Sequence, residues 1–239
     1  MDTATHLTHF DREHESFLAA CALAAPAAEV PTCPGWSVAD LMYHLYEVQY
    51  GWHRLVAERR EEFDGIDLPA RPADDQLAAI MIGEHAGYAA MLRAFPADTS
   101  IWTWAGTESF AWLARRMAQE ALVHRVDADL AAAVTRAPVD AELASDGIDE
   151  FLFYFANNAN GPVAGTVHLH CTDVEGEWLA QPDGKYFAVT REHAKGDCAI
   201  RGAAEDILMA LWRRAPLTAC EVVGDTDVAA AFVAASRLD

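Results

Sequence analysis

Near Asn157 the apolar residues of this chain change their spacing, and that change constrains the fold more than any other feature. Before it they recur at three- and four-residue intervals; beyond it they alternate. The first pattern wraps an amphipathic helix, and the second lays down strands with one covered face. The sequence therefore predicts a helical domain over residues 1–157 and a small α+β domain over 162–239. The run NNANGP between them supplies the Asn, Gly and Pro of a natural boundary.

Within the first part, a helix is expected around Thr5 to Ala24, ended by the breaker PTCPGW. Ser37 then stands as an N-cap with Asp40 three residues on, and Val38, Leu41, Met42, Leu45, Val48 and Trp52 keep helical period after it. Two further helices are expected over Ala73 to Phe95 and Glu108 to Val134, and a fifth helical stretch over Ala141 to Phe155. Helices joined in this way suggest a four-helix bundle. In the second part, the runs TVHLHC, EWLA, KYFAVT, DCAIR and TACEVV read as strands, with helices over Ala203 to Arg213 and Asp227 to Arg237.

Charge excludes one class of partner. The chain holds 37 acidic against 17 basic side chains, a formal net charge of −20, with no basic run to neutralise phosphates. Nucleic acid is not an expected partner. Five cysteines without C-x-x-C spacing fit free thiols in a reducing compartment. The polar N-terminus does not read as a signal peptide, and no apolar run reaches bilayer length, so a cytoplasmic protein is expected.

The chemistry-bearing residues sit in the second and fourth helices. Glu120 and His124 are one turn apart and project from one face. Leu113, Met117 and Ala121 mark the apolar stripe there, and helical period puts Glu120 and His124 on that stripe. A carboxylate aimed into a core needs a partner or a metal. His44 stands at the edge of the buried stripe of the second helix, so two helices can converge two imidazoles and a carboxylate. Two readings fit this set: a metal site, or an ordinary i,i+4 pair beside a satisfied core histidine.

Other candidates carry less. His6, His9 and His14, with Glu13, fall near a terminus and are expected in solvent. His53 and His85 show no partner at a ligand spacing. His168 and His170 share one face of a strand, where they bind metal, line a pocket or face solvent; solvent is the expectation. Cys33 precedes the His44 helix and reads as a structural thiol.

Three runs carry a resemblance. TCPGWSVADLMYHL (Thr32 to Leu45), ARRMAQEALVHRVDAD (Ala114 to Asp129) and GTVHLHCTDVEGEW (Gly165 to Trp178), in this order, resemble the mycothiol-dependent maleylpyruvate isomerase family. The resemblance implies a DinB-like bundle followed by a small domain like sterol carrier protein 2. It implies zinc on His44, Glu120 and His124, and mycothiol as the thiol. It also implies an arginine from the second domain. The run ALWRRAPL resembles a stretch that reads Leu-Trp-Gly-Arg in the family, so Arg214 matches the arginine and Arg213 stands where glycine is usual. Which of the two reaches the site is left open. Arg201 is a further candidate, and arginines placed only to complement a helix C-terminus are the alternative.

Three ligands leave zinc an open position for a thiol or water. The resulting expectation is an enzyme joining a small electrophile to a low-molecular-weight thiol, as S-transferase or cis–trans isomerase, in a monomer or homodimer. The other class is a binding module whose fourth position is filled by a side chain such as His85 or Glu47, with an apolar ligand in the second domain.

Overall fold

A computed structural model describes residues 1–238; Asp239, the last residue of the expected second domain, lies outside them. The chain divides into two compact units, Met1–Arg136 and Ala137–Asp239. The first holds α1 (Thr3–Cys21), α2 (Val38–Ala57), α3 (Leu77–Ala94), strands β1 (Ser100–Thr103) and β2 (Gly106–Ser109), and α4 (Phe110–Ala131). The second holds α5 (Ala141–Glu150), β3 (Val167–Cys171), β4 (Glu177–Asp183), β5 (Tyr186–Thr190), β6 (Cys198–Gly202), α6 (Ala204–Leu211), β7 (Glu221–Gly224) and α7 (Thr226–Ala235). A helical unit followed by a small α+β unit is the expected class.

The boundary falls earlier than expected. The stretch Ala141 to Phe155 belongs to the second unit, because α5 packs on α6 and Phe151 and Phe155 close on Trp212 at 5.1 and 5.0 Å. The NNANGP run is a link inside that unit. Helical period at 141–155 showed a helix, but period does not say which core it joins.

In the helical unit α2 begins where the sequence predicts. Ser37 Oγ accepts from the Asp40 amide at 3.2 Å and Asp40 Oδ2 accepts from the Ser37 amide at 2.9 Å, a reciprocal cap. A hairpin, β1 with β2, stands where the sequence reading saw none. Its two-residue turn is held by Thr103, whose hydroxyl accepts from the Ala105 amide and donates to the Gly106 carbonyl. Neither run alternates apolar with polar residues, SIWT pairing its two apolar residues and GTES holding none, so the pattern of a strand is missing.

Helix α4 has no solvent face: 17 of its 22 residues are buried, polar ones included. Arg125, enclosed there, donates to Glu13 Oε2 at 2.6 Å and Asp129 Oδ2 at 2.8 Å. Glu13 comes from α1, which packs along α4. This corrects the expectation that the N-terminal histidines are solvated. His6, His9, Glu13 and His14 are all buried, on the face α1 turns toward its neighbours.

His14 also stacks on His85, ring centroids 3.9 Å apart. Burial, helped by the charge of His85, pushes the His14 imidazolium down to about 3, so the folded unit holds His14 neutral. An unfolded histidine titrates near 6.5, so this contribution is complete above that pH and is lost as pH falls toward 3. At pH 5 the cost is about 2 kcal/mol. Urea denaturation at pH 7.5 and 5 should show a smaller loss for His14→Leu than for wild type by about that amount. Parallel pH dependences would show that His14 does not carry the effect.

The second unit is built on a five-stranded sheet of order β5-β4-β3-β6-β7, antiparallel except for the β3–β6 pair. Val167, Leu169, Cys171, Trp178, Ala180, Cys198 and Ile200 are buried and alternate along β3, β4 and β6. Helices α6 and α7 pack on β3 and β6. Strict alternation places His168, His170 and Glu177 on the opposite face.

Candidate metal centre

Helix α4 carries Glu120 and His124 on successive turns, and α2 brings His44 beside them. Glu120 Oε1 lies 3.2 Å from His124 Nε2 and 3.6 Å from His44 Nε2. The two imidazoles meet edge to face, centroids 4.9 Å apart. Trp36, from the loop before α2, covers His44 at 4.8 Å. One donor atom from each of His44, Glu120 and His124 falls within 4.8 Å of the others.

A second layer of contacts orients these donors. Asp127, fully enclosed one turn beyond His124, accepts from its Nδ1 at 2.9 Å. That bond leaves Nε2 as the atom facing Glu120 and His44. Asp127 is itself fixed by the loop before α2, where Thr32 Oγ1 donates to Oδ1 at 2.5 Å and Cys33 Sγ to Oδ2 at 3.7 Å. Arg116 binds the far oxygen of Glu120, Oε2, at 2.5 Å and leaves Oε1 for the cluster.

The charges follow from these contacts. Burial opposes ionisation of Glu120, yet the Arg116 guanidinium and the two imidazoles outweigh it and hold the carboxyl well below its ordinary range. Burial likewise opposes a charged His124. Hydrogen bonds to Asp127 and Glu120 outweigh that and raise its pKa. Two fixed carboxylates thus stand at a buried imidazole, an arrangement that favours a cation.

The donor set fits a zinc-type ion. Tetrahedral ligands about 2.0–2.1 Å from zinc stand about 3.3 Å from one another. The separations of 3.2 and 3.6 Å from Glu120 agree with this. His85 and Glu47 are not in the cluster. His85 pairs with Asp11 at 3.0 Å and His53 with Glu84 at 2.6 Å, so both have carboxylate partners that sequence spacing did not show. Sequence reasoning also missed Asp127, Arg116 and Thr32. For Asp127 a signal existed, since it lies three residues past His124 and seven past Glu120, on the same helical face.

In the second unit, Arg213 and Arg214 follow α6. Arg213 has φ +61°, the left-handed conformation that closes a helix and favours glycine. Its guanidinium donates to the carbonyls of Val233, Ala234 and Ser236 at the end of α7. Arg214 donates to the Trp212 carbonyl at 2.8 Å and lies against the Trp212 ring. Arg201 pairs with Glu221 at 3.0 Å.

The chain matches the family model described as mycothiol maleylpyruvate isomerase N-terminal domain over residues 7–129. It matches the C-terminal domain of the same family over residues 142–231. It belongs to the mycothiol maleylpyruvate isomerase family. Its fold is similar to a crystal structure of a mycothiol-dependent maleylpyruvate isomerase, with TM-score 0.64, 14% identity and 88% of each chain covered. A crystal structure of a histidine-to-alanine variant of such an isomerase gives TM-score 0.65, 13% identity and 95% of each chain covered. Among proteins of curated function, none matches the chain in sequence. No helix of the described residues is long and apolar enough to cross a membrane.

Proposed function

We propose that the helical unit holds a zinc-type divalent ion on His44, Glu120 and His124, and that the chain is a mycothiol-dependent S-transferase or cis–trans isomerase acting on a small electrophile. The observation that carries this reading is the convergence of two imidazoles and one carboxylate with an oriented Asp127–His124 pair behind them. Three protein ligands leave a fourth position open, as catalytic sites require. Family membership supports mycothiol as the thiol. When bound, such an ion supplies the Lewis acidity that keeps an incoming thiol deprotonated.

The residues of the chain have separate tasks. Glu120 offers Oε1 because Arg116 occupies Oε2. Asp127 keeps the His124 tautomer and ring plane, and Thr32 keeps Asp127 in place. Thiol addition to a double bond, rotation and thiol loss amount to cis–trans isomerisation; release of the adduct amounts to transfer. The testing experiment is metal analysis of the purified chain together with thiol consumption against a panel of electrophiles. Unchanged metal content in the His44→Ala/His124→Ala variant would sink the proposal.

Arg214 is the arginine we assign to an anionic group of substrate or thiol. Arg213 sits at a glycine-type position with its guanidinium on α7 carbonyls. Arg214→Ala should lower kcat/KM about 10- to 100-fold, the worth of one charge-assisted hydrogen bond, with metal retained. Arg213→Gly should keep wild-type turnover. Unchanged kinetics in Arg214→Ala would remove this segment from the reaction.

A further inference from the structure

We propose that the sheet of the second unit carries a metal site of its own, in which His168, His170, Glu177 and His193 bind a zinc-type divalent ion. Alternation puts His168 and His170 on one face of β3, and register places Glu177 of β4 directly opposite His170. His193 comes from the loop between β5 and β6. Gly196 lets that loop run against β3, since a Cβ there would lie 2.9 Å from the Thr166 carbonyl and 3.0 Å from the His168 amide. Three separate segments therefore deliver their donors to one point.

The donors converge on Glu177, two of them through hydrogen bonds that binding an ion would replace. His170 Nδ1 lies 2.5 Å from Glu177 Oε1, and His193 Nδ1 lies 2.7 Å from Oε2. His168 Nε2 stands 3.6 Å from Oε2, beyond hydrogen-bond reach. One donor atom from each residue falls within 4.8 Å of all the others. A plain hydrogen-bonded cluster accounts for His170 and His193 but not for His168. The His168 side chain is only 8% exposed, and its Nε2 has no hydrogen-bond partner among the described residues although it faces the carboxylate. Burying such an atom without a partner is costly, and an ion among the four donors satisfies it.

The donor set also selects the ion. Three imidazoles and one carboxylate suit zinc and its late first-row neighbours rather than calcium or magnesium, which take oxygen. Four protein donors complete a tetrahedron, so this ion is structural. It ties the 191–197 loop, through His193, to the sheet.

Zinc itself is the probe, on the full-length chain. After equilibration with zinc and removal of free ion, the wild-type chain should retain about two ions, and His170→Ala/His193→Ala about one. The His44→Ala/His124→Ala chain tests the helical centre separately. If it keeps the wild-type content while the sheet variant loses an ion, the sheet site stands and the helical one fails. If the sheet variant keeps wild-type content, the present inference is overturned.

A second measurement guards against misfolding. His193 is 80% exposed, so His193→Ala leaves the core intact. Exposed Lys195 in the same loop is a trypsin site. Zinc should slow cleavage there about tenfold or more in wild type and leave His193→Ala unprotected, as expected when opening the loop requires releasing a ligand. Equal cleavage rates with and without zinc in wild type would overturn the clamp.

Discussion

His124→Ala should cost the chain the ion of its helical unit, and turnover with it, while helical content by circular dichroism stays close to wild type. His124 is the centre of the cluster, 3.2 Å from Glu120 on one side and 2.9 Å from Asp127 on the other. Its removal deletes one of the three proposed ligands and takes away the imidazole between Glu120 and Asp127. Because Asp127 is fully enclosed, the variant also bears a stability cost of about 3 kcal/mol for a buried carboxylate that has lost its imidazole while keeping the Thr32 and Cys33 hydrogen bonds. His44→Ala is the control for that cost. The His44 side chain is 34% exposed, so its loss removes a ligand without stranding a buried charge. Both variants should lose the same metal equivalent. Asp127→Asn keeps every ligand and should weaken metal binding about 10- to 100-fold, the usual effect of disturbing a ligand's orienting partner. Equal metal content in wild type, His44→Ala and His124→Ala would show that the cluster is only a hydrogen-bonded one.

Omitting mycothiol should return turnover to the uncatalysed background, whereas Cys33→Ser should retain most of it. No buried cysteine of the chain is suited to act as nucleophile. Burial pushes the Cys21 and Cys171 thiols up to about 12 and those of Cys198 and Cys220 up to about 11, so all four stay protonated at neutral pH. A thiol in that state is a poor nucleophile. Cys33 lies nearer the cluster, but its sulfur is directed to Asp127 at 3.7 Å. Serine can make the same donation. On the proposed mechanism the nucleophile arrives from outside, and metal content should be the same with and without it. Turnover with water alone would identify a metal-dependent hydrolase and end the thiol reading. Loss of activity in Cys33→Ser with mycothiol present would assign that cysteine a direct part.

Local periodicity was informative wherever the deciding contacts are short in sequence. The reciprocal cap of Ser37 and Asp40, the shared face of Glu120 and His124, and the shared face of His168 and His170 all follow from fixed helical and strand repeats. The change of repeat separated helical from α+β chain for the same reason. What periodicity lacks is knowledge of what lies across from each face. Thr32 meets Asp127 from 95 residues away, and Glu13 meets Arg125 from 112. Helix α5 reads as helix in either unit, and only its packing on α6 assigns it to the second. His193 sits in a loop without repeat, yet joins His170 on Glu177. The spacing of residues along one element is set by backbone geometry, so the sequence alone determined which side chains point the same way. Burial of α4 on every side, and the meeting of donors from different elements, depend on long-range packing and so were decided only by the tertiary structure.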